Sequence, residues 1–180
     1  MKVISIPNII TLIRIVIIPV FVTALIYKRY NYALALFIVA SISDALDGLL
    51  ARATNQKTQF GAFLDPLADK LLLTVSFILF SVYGWIPSWL TITVISRDLI
   101  VTLGWVILYL ASHITTIAPS VVGKSAVASQ LVLIAFILLS INMDNFTPPA
   151  GWMLWTVALL TITSGLQYIS RGIKQANEKQ

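Results

Sequence analysis

Six apolar stretches, each near twenty residues, take up most of this chain and decide what it can fold into. They fall at about Ile9–Tyr27, Tyr32–Leu50, Ala62–Tyr83, Trp89–Ala111, Val121–Met143 and Trp152–Ser170. Each is close to the length a helix needs to cross the hydrocarbon core of a bilayer. Gly84, Ile86-Pro87, Pro119 and Pro148-Pro149 sit between the runs, where helix-disfavouring residues belong. The pattern predicts an all-α integral membrane protein with six transmembrane helices.

Composition agrees. The chain has 180 residues, 58% hydrophobic and 11% charged, where soluble domains carry about a quarter charged. Six spans leave no room for a separate soluble domain, so residues 1–180 are expected to form a single transmembrane domain. With no cysteine, disulfides, thiolate metal sites and cysteine nucleophiles are excluded; one histidine, His113, cannot build a histidine metal site. The Met1–Val20 segment lacks a small-residue cleavage site and carries Arg14 within its apolar run, so it is expected to be a retained span.

With both ends inside, the cytoplasmic segments hold Lys2, Arg52, Lys57, Lys124, Arg171, Lys174 and Lys179, while Tyr83–Trp89 and Asp144–Gly151 hold no Lys or Arg. The positive-inside tendency therefore puts both termini in the cytoplasm, with Lys28 and Arg29 as the exception. The net charge of +5 suits anionic lipid surfaces, and nothing points to nucleic acid.

The acids are the chemical signal. Asp44, Asp47, Asp65, Asp69 and Asp98 lie in or at the edges of apolar spans, where each carboxylate costs about 2.5 to 3.5 kcal/mol at a helix centre. Asp44 and Asp47 are three apart and Asp65 and Asp69 four apart, so each pair shares a helix face. A short connection makes the two helix ends neighbours. The result is a cluster of hard oxygen ligands that suits Mg²⁺ or Mn²⁺ better than zinc. Gly48 and Gly61 lie one turn from Asp44 and Asp65 on the carboxylate faces, leaving room for a flat ligand, and Arg52 and Lys57 stand at the same mouth to counter a diphosphate. Pro66 should loosen the start of the third helix.

Plainer readings stand beside these. Arg97–Asp98 is either a structural ion pair or part of a site, the two glycines alone serve equally as packing positions, and Lys57 suits a surface cation. A cation transporter would also place acids between helices, though usually near mid-membrane and in repeated halves. Here the acids lie towards one side, Arg52 joins them and no repeat is visible.

The arrangement Asp44-x2-Asp47-Gly48-x2-Ala51-Arg52-x8-Gly61-x3-Asp65-x3-Asp69 resembles the complete signature of the CDP-alcohol phosphotransferase family. Ile6-Pro7-Asn8-x2-Thr11-x2-Arg14 and Phe63-Leu64-Asp65-Pro66-Leu67-Ala68-Asp69-Lys70 are similar to the phosphatidylglycerophosphate synthase and cardiolipin synthase branch. With Ser96-Arg97-Asp98 and Gly123-Lys124-x5-Gln130, the similarity runs through about residue 140.

The resemblance implies six transmembrane helices in a homodimer, in a bacterial cytoplasmic membrane, with the active site facing the cytoplasm. It implies that Asp44, Asp47, Asp65 and Asp69 bind divalent metal and that Asp69 is the base. Gly48, Ala51, Arg52 and Gly61 shape the cytidine pocket, Asn8 reaches the diphosphate, and Arg14, Arg97 and Lys124 line the acceptor side. The activity implied is metal-dependent transfer of a phosphatidyl group from CDP-diacylglycerol to an alcohol, with release of CMP.

Two acceptors fit that branch. Phosphatidylglycerophosphate synthases resembling this chain often carry a second Arg and a Lys-Thr pair where Trp105 and Ala126-Val127 stand here. Counting only Arg14, Arg97 and Lys124 as cations for the acceptor favours phosphatidylglycerol, giving cardiolipin, over glycerol 3-phosphate.

Overall fold

The computed structural model describes the backbone of residues 6–54, 59–112, 120–143 and 146–177, and the side chains of 12–43, 70–104, 106, 120–143 and 146–174. Six α-helices follow one another: α1 (Ile6–Ile26), α2 (Tyr30–Thr54), α3 (Gln59–Val82), α4 (Ser88–Ser112), α5 (Val121–Asn142) and α6 (Gly151–Asn177). Each of the six apolar stretches falls on one of them. Helix α3 runs unbroken through Pro66.

Among the described residues, Val121–Asn142 and Gly151–Lys174 are long and apolar enough to cross a membrane, with mean hydropathies of 2.0 and 1.2. Helix α6 shows why lipid suits them. Its outer face carries Trp152, Trp155, Leu159, Ile162, Leu166, Ile169 and Ile173, all exposed, while its inner face carries Val157, Ala158, Thr161, Ser164 and Gly165. Large apolar residues outside and small or hydroxylated ones inside reverse the arrangement of a water-soluble helix and match helix packing in bilayers.

The chain divides into two compact units. The first comprises Met1–Ser76 and Ala135–Thr147. Here α1 packs on α2. The α1 positions Arg14, Ile18, Phe21 and Leu25, spaced four, three and four apart, are buried, as are Ala33, Phe37 and Ala40 of α2. Phe21 and Phe37 meet with ring centroids 6.3 Å apart. Asn142 donates to the Tyr30 carbonyl at 3.2 Å, tying the end of α5 to the start of α2.

The α1 terminus closes as a Schellman motif. The Arg29 amide donates to the Ala24 carbonyl at 2.8 Å and that of Lys28 to Leu25 at 3.0 Å, which requires Lys28 to adopt a left-handed φ of 57°. This position also gives the two outlying cations a physical reason, since carbonyls at a helix C-terminus carry partial negative charge.

The second unit comprises Phe77–Ile134 and Pro148–Gln180. Helix α3 ends in the same motif, with the Trp85 amide on the Phe80 carbonyl at 2.8 Å and Gly84 at φ 73°. Phe80 and Trp85 supply the hydrophobic contact such an end favours, their centroids 5.2 Å apart. Helix α4 packs on α6, with Trp89 and Trp155 at 5.1 Å. Gln130 of α5 donates to the Thr161 hydroxyl of α6 at 3.1 Å, a buried pair that holds the third helix of this unit in register.

Candidate active site

The expected site residues divide between the two units. Asp44, Asp47, Gly48, Ala51 and Arg52 lie on α2, Asn8 on α1, and Gly61, Asp65 and Asp69 on α3. Their side chains lie outside the described residues, as do Lys57 and His113. The backbone still gives the depth of these positions in their helices. Asp47 is seven residues before the end of α2 at Thr54, and Asp65 six after the start of α3 at Gln59. At 1.5 Å rise per residue both stand about 10 Å into their helices, and a connection of only four residues joins the helices.

The second unit contains a cavity of about 480 Å³. Its polar lining comes from Arg97 on α4, Ser120 and Lys124 at the start of α5, and Ser164, Tyr168 and Arg171 on α6; Val101, Val127, Ala128 and Leu131 supply an apolar wall. Ser164, Tyr168 and Arg171 follow one another by four and three residues, so helical geometry turns all three to the same side.

Arg97 is clamped. Its Nη1 donates to Asp98 Oδ1 at 2.7 Å, and its Nη2 donates to the Ser164 hydroxyl at 2.7 Å. The pair is nearly buried, with side-chain exposures of 13% and 11%, so the guanidinium keeps a fixed orientation. Two glycines lie against it. A Cβ at Gly165 would lie 3.4 Å from Arg97 Cγ, and one at Gly123 would lie 3.2 Å from Ser120 Oγ, 3.4 Å from Ser164 Oγ and 3.6 Å from Arg97 Nη2. Ser120 is the N-cap of α5, its hydroxyl accepting from the Gly123 amide at 2.9 Å. The positive end of the α5 dipole therefore faces the cavity end that holds Lys124.

Arg97 and Lys124 thus share one cavity. Arg14 belongs to the other unit, buried on α1. Arg171 joins them as a third cation, and sequence reasoning missed it by counting it only as a positive residue past the last span. The polar stripe Ser164, Tyr168, Arg171 in an otherwise apolar helix was the available signal. Three cations, two hydroxyl side chains, a phenol and a helix N-terminus can hold a small, highly charged anion.

Comparison with known proteins agrees with the sequence signature. The family profile described as CDP-alcohol phosphatidyltransferase matches residues 4–163. A CDP-diacylglycerol–glycerol-3-phosphate 3-phosphatidyltransferase of Bacillus subtilis is 34% identical over 185 residues, covering 93% of this chain and 94% of the relative. The Escherichia coli protein of the same name is 36% identical over 176 residues, covering 92% and 93%. A probable phosphatidylglycerophosphate synthase of Mycobacterium tuberculosis is 35% identical over 180 residues, covering 96% and 84%. The match spans both carboxylate pairs and the Arg97 and Lys124 positions, and the chain belongs to the CDP-alcohol phosphatidyltransferase family, as an enzyme that transfers substituted phosphate groups.

Proposed function

We propose that the chain transfers the phosphatidyl group of CDP-diacylglycerol to the primary hydroxyl of glycerol 3-phosphate, releasing CMP and forming phosphatidylglycerophosphate. The observation that carries this acceptor is the convergence of Arg97, Lys124 and Arg171 on one cavity. A phosphomonoester with nearly two negative charges must be drawn out of water by several charge-assisted hydrogen bonds. The argument for phosphatidylglycerol rested on a shortage of such donors, and Arg171 removes the shortage. The relatives' names support the same acceptor.

The donor set of the first unit fits a hard divalent cation. It consists of four carboxylates on consecutive helices, the inner two at matched depth, in a chain with no cysteine and one histidine. Asp44, Asp47, Asp65 and Asp69 would hold Mg²⁺ or Mn²⁺, which when bound neutralises the diphosphate and stabilises departing CMP. Asn8, Gly48, Ala51, Arg52 and Gly61 bind the nucleotide. Arg97, Lys124 and Arg171 bind the acceptor's phosphate, and Asp69 takes the proton from its hydroxyl as the oxygen attacks the phosphorus that bears the lipid. The new P–O bond forms as the bond to CMP breaks, with no covalent enzyme intermediate. All six helices span the bilayer of a bacterial cytoplasmic membrane, with both termini and the site on the cytoplasmic side, by the distribution of Lys and Arg.

The test is CMP release by purified protein in detergent micelles of CDP-diacylglycerol. Glycerol 3-phosphate should stimulate release strongly and glycerol hardly at all, because glycerol lacks the group the three cations bind. Equal stimulation by both would refute the acceptor assignment.

A further inference from the structure

Two buried polar atoms of the cavity lining have no hydrogen-bond partner among the described residues: the Tyr168 hydroxyl and Arg97 Nε. In an apolar helix an unpaired phenol is costly, and such groups are normally satisfied within the protein or by a ligand. The ring is held firmly enough to aim. A Cβ at Gly104 of α4 would stand 3.1 Å from Tyr168 Cε1, tighter than ordinary van der Waals contact, so the absence of that atom lets the ring lie against the α4 backbone. Arg97 is fixed from the other side by Asp98 and Ser164. Tyr168 also sits between Ser164 and Arg171 on the α6 face that lines the cavity.

From this geometry we infer that Tyr168 is an acceptor-binding residue: its hydroxyl donates a hydrogen bond to an oxygen of the acceptor's phosphate held by Arg97, Lys124 and Arg171. Gly104 is a positioning residue that acts through the tyrosine ring. The inference rests on the glycerol 3-phosphate reading and adds to it a neutral, directional donor. Lys124 and Arg171 are exposed and attract a dianion without fixing its rotation, whereas the ring, packed against backbone on one side, joins the clamped Arg97 in supplying a defined direction. No covalent step involves Tyr168.

The experiment measures KM for glycerol 3-phosphate, KM for CDP-diacylglycerol and kcat in the wild type and in Tyr168→Phe, Gly104→Ala and Lys124→Ala. Tyr168→Phe keeps the ring and removes only the hydroxyl, so KM for glycerol 3-phosphate should rise roughly ten-fold, the scale of one hydrogen bond to a charged group. KM for CDP-diacylglycerol should stay within about two-fold, and inorganic phosphate should lose potency as a competitive inhibitor against glycerol 3-phosphate by the same factor. Gly104→Ala should reproduce the acceptor effect by displacing the ring. An unchanged acceptor KM in Tyr168→Phe, beside a raised one in Lys124→Ala, would overturn the role of the tyrosine and leave the acceptor site standing. Unchanged acceptor KM in both variants, or no phosphatidylglycerophosphate from the wild type, would overturn the role of the tyrosine together with the reading it rests on.

Discussion

Arg97 of α4 reaches Ser164 of α6 at 2.7 Å while its other terminal nitrogen holds Asp98 at the same distance. The two contacts need the planar fork of a guanidinium, and a single ammonium cannot make both in that geometry. Arg97→Lys should therefore lower kcat/KM for glycerol 3-phosphate at least roughly ten-fold, the scale of a lost charge-assisted bond. Arg97→Ala takes a nearly buried partner from Asp98, which typically costs about 3 kcal/mol or more, and should also lower the thermal midpoint in detergent. Equal activity of the lysine variant would show that the clamp is dispensable.

The carboxylate cluster makes a separate claim. Asp44→Asn, Asp47→Asn and Asp65→Asn each keep side-chain shape and remove one charged ligand, so each should reduce transfer by more than the roughly ten- to hundred-fold lost when a group that only supports a metal ligand is removed. EDTA should abolish wild-type activity, and Mg²⁺ or Mn²⁺ should restore it. Full activity in any two of the three variants, in folded protein, would sink the cluster.

Asp69 is assigned proton transfer as well as metal binding. A general base contributes about a hundred- to ten-thousand-fold, so Asp69→Asn should cut turnover on that scale while retaining more CDP-diacylglycerol binding than Asp65→Asn, as read by titration of CDP-lipid in the presence of metal. Equal loss of binding in the two would leave Asp69 a ligand only.

Two equivalent helix ends should respond with opposite signs. Lys28 and Gly84 occupy the left-handed position of Schellman motifs, at φ 57° and 73°. A non-glycine residue there is strained by roughly 1 kcal/mol. Lys28→Gly should raise the thermal midpoint, and Gly84→Ala should lower it even though nothing lies within 4 Å of the added Cβ. A loss of stability in Lys28→Gly would place that lysine's value in its charge at the α1 terminus.

Helix positions were legible because apolar runs of this length leave few alternatives, and Gly84 marked its turn because glycine tolerates positive φ. The α1 end was not legible in the same way, since Lys28 carries no such mark. The carboxylate pairs showed in spacing alone, and the cavity did not. Arg97 and Lys124 are 27 positions apart in the chain, and Arg171, a further 47 on, joins them only through the tertiary packing that sets α4 on α6. That missed cation decided the acceptor argument.

The central claim is the identity of the acceptor, and a direct competition measures it. Purified protein in vesicles of CDP-diacylglycerol and phosphatidylglycerol, supplied with labelled glycerol 3-phosphate, should make labelled phosphatidylglycerophosphate and release one CMP per lipid formed, with cardiolipin a minor product or absent when the lipids are resolved by chromatography. Cardiolipin as the main product, with little label entering lipid, would contradict the account.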